Sequence, residues 1–153
     1  MPERQPDFYL VDILIAIEKI KRRTGPLSFK AFLANEDFID ATVKNLEVIG
    51  EATGQLLKYS DFLNKEDKKW RKIVDFRNIL VHFYFGINLD SVFNSIVAKK
   101  IPELEQELLE LLKERQDLAM FFQAIKDTKV DLAKLYREES IAYLDWVMNQ
   151  LSR

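Results

Sequence analysis

Cysteine is absent from the 153 residues, and histidine occurs once. The first absence excludes disulfides, thiolate catalysis and cysteine-ligated zinc. The second excludes a histidine-rich metal centre within one chain. Glycine and proline are scarce, with four of each, so few positions force the backbone to turn. Neither sign of charge dominates: 23 Lys and Arg stand against 25 Asp and Glu, a formal net charge of −2. Overall charge therefore gives no argument for a nucleic-acid binder, although a local basic cleft is compatible with it. A long apolar run is also missing. The opening MPERQPDFYLVDILIAIEKI is interrupted by Asp12 and Glu18, and is too short and too charged to span a bilayer. It lacks the positive start and small-residue cleavage site of a secretion signal. The expectation is a cytoplasmic protein.

What is present reads as helix. Hydrophobic residues make up 48% and charged residues 31%, an ordinary globular balance. Leu10, Ile13, Leu14, Ile17 and Ile20 recur at helical spacing between about Asp7 and Arg23. Thr24-Gly25-Pro26 stops that helix, and Ser28 can cap a short turn through Phe32 and Leu33. A second helix runs from about Asp37 to Tyr59, with Ile39, Val43, Leu46, Gly50, Thr53 and Leu57 on one seam. Glycine costs about 1 kcal/mol inside a helix, so a close helix crossing at Gly50 would give it a use. A third helix begins near Asn64 and carries Trp70, Ile73, Val74, Arg77, Val81 and Tyr84. Phe85-Gly86-Ile87-Asn88 reads as its end. A fourth spans about Leu89 to Glu114 and should be kinked or divided at Pro102, which lacks a backbone donor. The chain from about Gln116 supplies one broken helix or two. The expected fold is an all-α bundle with residues 1–115 as its body. Residues 116–153 form a C-terminal helical extension, docked on the bundle or used in assembly.

One apolar stretch is out of character. RNILVHFY, residues 77–84, holds an arginine, the single histidine and a tyrosine. At about 100° per residue, Arg77 and Tyr84 nearly superpose, while His82 falls about 140° from Arg77 and about 40° from Asn78. A straight helix splits the set. A break near His82 would rejoin it, as would two chains meeting around this segment. Brought together, Arg77 offers a fixed fork of donors for phosphate, and His82 can exchange a proton near neutral pH. Asn78 could orient the imidazole or bind a phosphate oxygen, and Tyr84 could stack on a base or bond to phosphate. That set permits metal-free RNA cleavage, in which the RNA 2′-hydroxyl attacks the adjacent phosphorus. The alternative is a polar anchor: Arg77 pairs with Glu47 or Glu51, and His82 fastens a helix end. Lys69, Arg71 and Lys72 belong to a basic run before the stretch, either a solvated face or a flank that guides RNA. Trp70 is expected in the core. Of Phe83 and Phe85, one is expected to pack and the other to close the cleft.

Arg77, four residues, then His82, Phe83 and Tyr84 reproduce the R-x4-H-x-Y pattern, and the chain resembles the HepT-like toxins of the HEPN superfamily. The likeness includes YLVDILIAIEKIKRRTGPLSFKAFLANEDFIDATVKNLEVIGEA, WRKIVDFRNILVHFYFGINLDSVF and IPELEQELLELL, together about residues 7–112. The resemblance implies a bundle of four to five helices, with an additional C-terminal helix here. It implies a homodimer whose paired motifs face one cleft, with Arg77 and His82 catalytic and Asn78 in support. It implies a type VII toxin–antitoxin pair in which an MntA-like nucleotidyltransferase AMPylates Tyr84 and silences the ribonuclease. The RNA would be messenger or transfer RNA, and no cofactor or metal is expected. A second reading keeps the dimer surface and Tyr84 without catalysis, as a binding subunit of a nucleotidyltransferase complex.

Overall fold

A computed structural model describes residues 4–152. The helices are α1 (Asp7–Thr24), α2 (Phe29–Leu33), α3 (Glu36–Tyr59), α4 (Lys68–His82), α5 (Ile101–Glu114), α6 (Ala119–Lys134) and α7 (Glu138–Leu151). A 3-10 turn, Tyr84–Gly86, follows α4, and a π-helical stretch, Ser91–Lys100, runs into α5. The all-α expectation holds. The expected count of four to five helices plus one does not, since seven α-helices occur among the described residues. One is the single-turn α2, started where the Ser28 hydroxyl accepts from the Ala31 N–H at 3.1 Å. Another arises because the tail divides at Leu135–Tyr136, where Tyr136 adopts φ 56° and the Arg137 N–H returns to the Leu132 carbonyl.

The centre of the bundle is α1. Leu10, Val11, Ile13, Leu14, Ile15, Ala16, Ile17 and Ile20 are all buried on it, so apolar side chains leave it in nearly every direction. Such a helix is stable only when neighbours surround it. Here α3 packs along one side, α6 and α7 along another, and α5 also touches it. Phe121, Ala124, Ile125, Leu144 and Val147 from the last two helices join the same core.

Few charges enter this interior, and each is met. Asp7 accepts from Arg115 Nη1 at 3.1 and 3.2 Å. Glu18 accepts from Arg22 at 2.8 Å and from the Ser140 hydroxyl at 3.2 Å. Glu105 accepts from Lys21 Nζ and from the Tyr143 hydroxyl, both at 2.6 Å. Two of these sets tie α7 to α1 and α5, so the tail is held by polar pairs as well as by apolar burial.

Pro102 sits in the first turn of α5, at the point where the ladder changes pitch. The Ile101 N–H still reaches back five residues to the Ile96 carbonyl, and from there the chain returns to α-helical pairing. The predicted division at Pro102 is thus a change of helix type rather than a break. No helix among the described residues is long and apolar enough to cross a membrane.

Candidate active site

The third helix begins and ends later and earlier, respectively, than its sequence pattern suggests. Asn64 and Asp67 both cap, but in succession: Asn64 accepts from the Glu66 N–H in the preceding turn, and Asp67 accepts from the Lys69 N–H at 3.1 Å to start α4. The other end comes at His82 rather than at Phe85–Asn88. There the Phe83 N–H closes on the Ile79 carbonyl at 2.8 Å while Phe83 itself leaves helical geometry with φ −131° and ψ 40°. The helix thus ends beside His82, but Arg77, Asn78 and His82 all lie within it, so the break redirects Phe83 and Tyr84 and leaves Arg77 and His82 apart.

Helices α3 and α4 run antiparallel. Gly54 lies against Val74, Gly50 against Ile73 and Arg77, and Asp40 against Tyr84. The crossing is tightest at Gly50. A Cβ there would stand 2.2 Å from Arg77 Cβ and 2.8 Å from Arg77 Cγ, a contact no packed structure tolerates. The missing side chain is what lets the stem of Arg77 lie on α3.

The guanidinium is therefore anchored at its root and partly engaged at its tip. Nη1 donates to Asn78 Oδ1 at 3.0 Å, and Nη2 lies 3.3 Å from Glu51 Oε2. Nε is buried with no hydrogen-bond partner, alone in this among the side-chain atoms of the described residues. An unsatisfied buried donor costs about 1–3 kcal/mol, so one N–H of the fork is left wanting an acceptor. Glu51 is the acid that pairs with Arg77; Glu47 makes no ion pair with it among the described residues.

His82 is exposed at the last turn of α4. Its imidazole makes no hydrogen bond to another described residue, so the chain does not itself join His82 to Arg77, Asn78 or Tyr84. Tyr84 turns towards α3, where its hydroxyl donates to Asp40 Oδ1 at 2.5 Å. That hydrogen bond, with some burial and the nearby charges of Asp40, Glu36 and Glu47, holds the phenol above its ordinary pKa. Neither phenylalanine beside it packs: Phe83 is 67% exposed and Phe85 100%. The expectation that one of them would pack fails, because the chain leaves α4 away from the core. With Ile79 and Val81 also exposed, the motif sits in an apolar outer surface.

The basic run lies at the opposite end of α4, with Lys69 about 20 Å along the axis from His82. Its members differ. Lys69 is engaged by Glu107 and Asp67, whereas Arg71 and Lys72 have no ion-pair partner among the described residues. No group of three or more His, Cys, Asp or Glu side chains among those residues is arranged to hold a metal ion.

Asp40 and Glu36 escape a reading of the motif alone, since 44 residues separate Asp40 from Tyr84. A signal was nonetheless present. Glu36, Asp40, Glu47 and Glu51 fall within about 60° of one another around a helix, an acidic stripe on α3 that meets Tyr84 at one end and Arg77 at the other.

An antiparallel helix pair carrying R-x4-H-x-Y at the end of its second member defines a class, and the comparisons agree with it. The family model described as HepT-like, "Ribonuclease HepT-like", matches residues 13–111. A protein named "Putative RNase TTE0752" from Caldanaerobacter subterraneus subsp. tengcongensis is 36% identical over 114 residues, covering 74% of this chain and 99% of that one. "Putative RNase MJ0127" from Methanocaldococcus jannaschii is 35% identical over 115 residues, 74% and 93% of the two chains. "Probable ribonuclease HepT" from Thermococcus cleftensis is 33% identical over 105 residues, 69% and 94%. No solved structure matches. The chain belongs to the HepT-like ribonuclease family.

Proposed function

We propose that the protein is the toxin of a type VII toxin–antitoxin pair: a homodimeric, metal-independent endoribonuclease silenced by AMPylation of Tyr84. Residues 1–115 form the family bundle in this reading, and residues 116–153 are an extension docked upon it. The observation that carries it is the end of α4. Arg77 is rooted against α3 with its tip held only by a surface ion pair to Glu51 and the bond to Asn78, and His82 stands exposed in the last turn of the same helix.

The chemistry follows from those two groups. His82 moves the proton as the RNA 2′-hydroxyl attacks the neighbouring phosphorus, and a cyclic phosphate is left. Arg77 stabilises the charge that develops on the non-bridging oxygens. Asn78 supports it by accepting from Nη1. The ion pair with Glu51 is exposed enough for phosphate to compete with it, since such pairs are worth about 0–1 kcal/mol. Arg71 and Lys72 remain free to follow the RNA backbone, and messenger and transfer RNA are both suitable substrates. Two copies meeting over Ile79, Val81, Phe83 and Phe85 would cover apolar surface that is open here and bring a second His82 to the cleft. An MntA-like nucleotidyltransferase is the antitoxin.

One observation favours the second reading, a non-catalytic binding subunit of a nucleotidyltransferase complex: the fork of Arg77 is partly occupied by Glu51 and Asn78. The test is RNA cleavage in EDTA by mass-verified, unmodified protein, beside His82→Ala prepared identically. The parent should cut and leave cyclic phosphate ends, and the variant should be slower by about 10²–10⁴-fold. A folded parent that cuts neither messenger nor transfer RNA supports the binding subunit instead.

A further inference from the structure

We propose that Asp40 is the proton acceptor for nucleotidyl transfer onto Tyr84; the inference rests on the reading above, that Tyr84 is the modified residue. A phenol is a poor nucleophile while it keeps its proton, and at neutral pH an ordinary tyrosine is ionised to only about one part in a thousand. The surroundings of Tyr84 make ionisation in advance harder: the hydrogen bond to Asp40 holds the proton first, and some burial and the charges of Asp40, Glu36 and Glu47 add to it. The proton therefore has to leave during the attack, and it needs a base already in contact.

Asp40 is the group in that position. Its Oδ1 receives the Tyr84 hydroxyl at 2.5 Å, within reach for direct proton transfer. Tyr84 is 37% exposed on a three-residue turn, and Asp40 is itself at the surface, so a partner's nucleotide can approach both. In the step, Tyr84 Oη forms a bond to the α-phosphorus of ATP. The bond from that phosphorus to the oxygen bridging to the β-phosphate breaks, and pyrophosphate leaves. The phenolic proton passes to Asp40 Oδ1. The toxin thus carries its own base for the reaction that silences it, and the transferase need only deliver ATP in line.

The test measures nucleotidylation kinetics with ATP and an MntA-like nucleotidyltransferase, following intact mass and pyrophosphate release. The parent chain is compared with Asp40→Asn, Asp40→Glu and Tyr84→Phe. Asparagine still accepts the phenolic hydrogen bond through its amide oxygen but is a poor base. Asp40→Asn should lower kcat by about 10²–10⁴-fold and leave KM for the chain unchanged, and Asp40→Glu should recover part of the rate. RNA cleavage by Asp40→Asn should match the parent. A kcat within threefold of the parent overturns the proposal, as does a raised KM with unchanged kcat, which would make Asp40 a docking contact. Absence of modification on the parent's Tyr84 overturns the underlying reading, and this inference with it.

Discussion

The two ends of the apolar sequence behave in opposite ways. In the tail, Phe121, Ile125, Leu144 and Val147 are sealed against α1, and Tyr143, half inside, gives its hydroxyl to a buried glutamate. At the motif, Ile79, Val81, Phe83 and Phe85 are just as apolar and stand in solvent. Composition does not separate the two regions; what they touch does. The inward face of the tail serves this chain's own stability, while Met120, Val130, Leu135, Tyr136 and Trp146 stay exposed on its outer face; the motif keeps its apolar area uncovered around reactive side chains. Large exposed apolar patches mark surfaces that meet something else.

Paired phenylalanines give the widest test of that contrast. Phe121→Ala should cost about 3–5 kcal/mol, as for other buried aromatic truncations, whereas Phe85→Ala should stay within about 0.5 kcal/mol. Urea unfolding of the two variants checks both. A comparable loss from Phe85 would mean that the motif surface is already covered in solution, and concentration-dependent melting would then identify a second copy as the cover.

The next effect is sharper in pH than in size. Burial first, then the hydrogen bond to Glu105, push the Tyr143 phenol far above its ordinary value in the folded chain. Unfolding returns it to about 10. Above that pH the unfolded chain holds fewer protons than the folded one, so stability falls as pH rises, by up to about 1.4 kcal/mol per pH unit. Below it the contribution is fully present. Tyr143→Phe should flatten this alkaline decline, and urea melts from about pH 8 to about pH 11 measure the slope.

The smallest effect belongs to the motif end. Glu51→Gln should change stability by less than about 1 kcal/mol, because the Glu51 carboxylate is 56% exposed and surface pairs contribute little. Cleavage by that variant should hold or rise, since one competitor of phosphate at Arg77 is gone. A loss of more than about tenfold, or roughly 1.4 kcal/mol of barrier, would instead make Glu51 a residue that positions the guanidinium.

Much of this was legible one helix at a time. The limits of α1 and α3, the cap at Ser28, the buried Trp70 and the use of Gly50 all depend on local spacing, which a sequence displays openly. The pairing of Arg77 with Glu47 or Glu51 was legible too, though not that Glu51 is the partner. The end of α4 at His82 was not, because Phe83 and Tyr84 continue the apolar pattern while their surroundings no longer bury them. The contact between Asp40 and Tyr84 joins residues far apart in the chain and depends on how two helices are registered. The π-helical stretch was hidden for a related reason: Pro102 announces a disturbance, but not how far upstream the ladder widens.

Gly50 also bears on how the site can change by substitution. The collision its Cβ would make is with Cβ and Cγ of residue 77, atoms that lysine, glutamine or leucine would present as well. A descendant that exchanged Arg77 and lost any chemistry there would still be bound to glycine at 50 for as long as the two helices crossed at this depth. Glycine at position 50 is therefore a demand of the crossing, while the identities of residues 77 and 82 bear on whether the activity is kept. Positions 50 and 77 are adjacent in space and answer different questions, so a screen for inactive members of such a lineage should be keyed to 77 and 82 and not to 50.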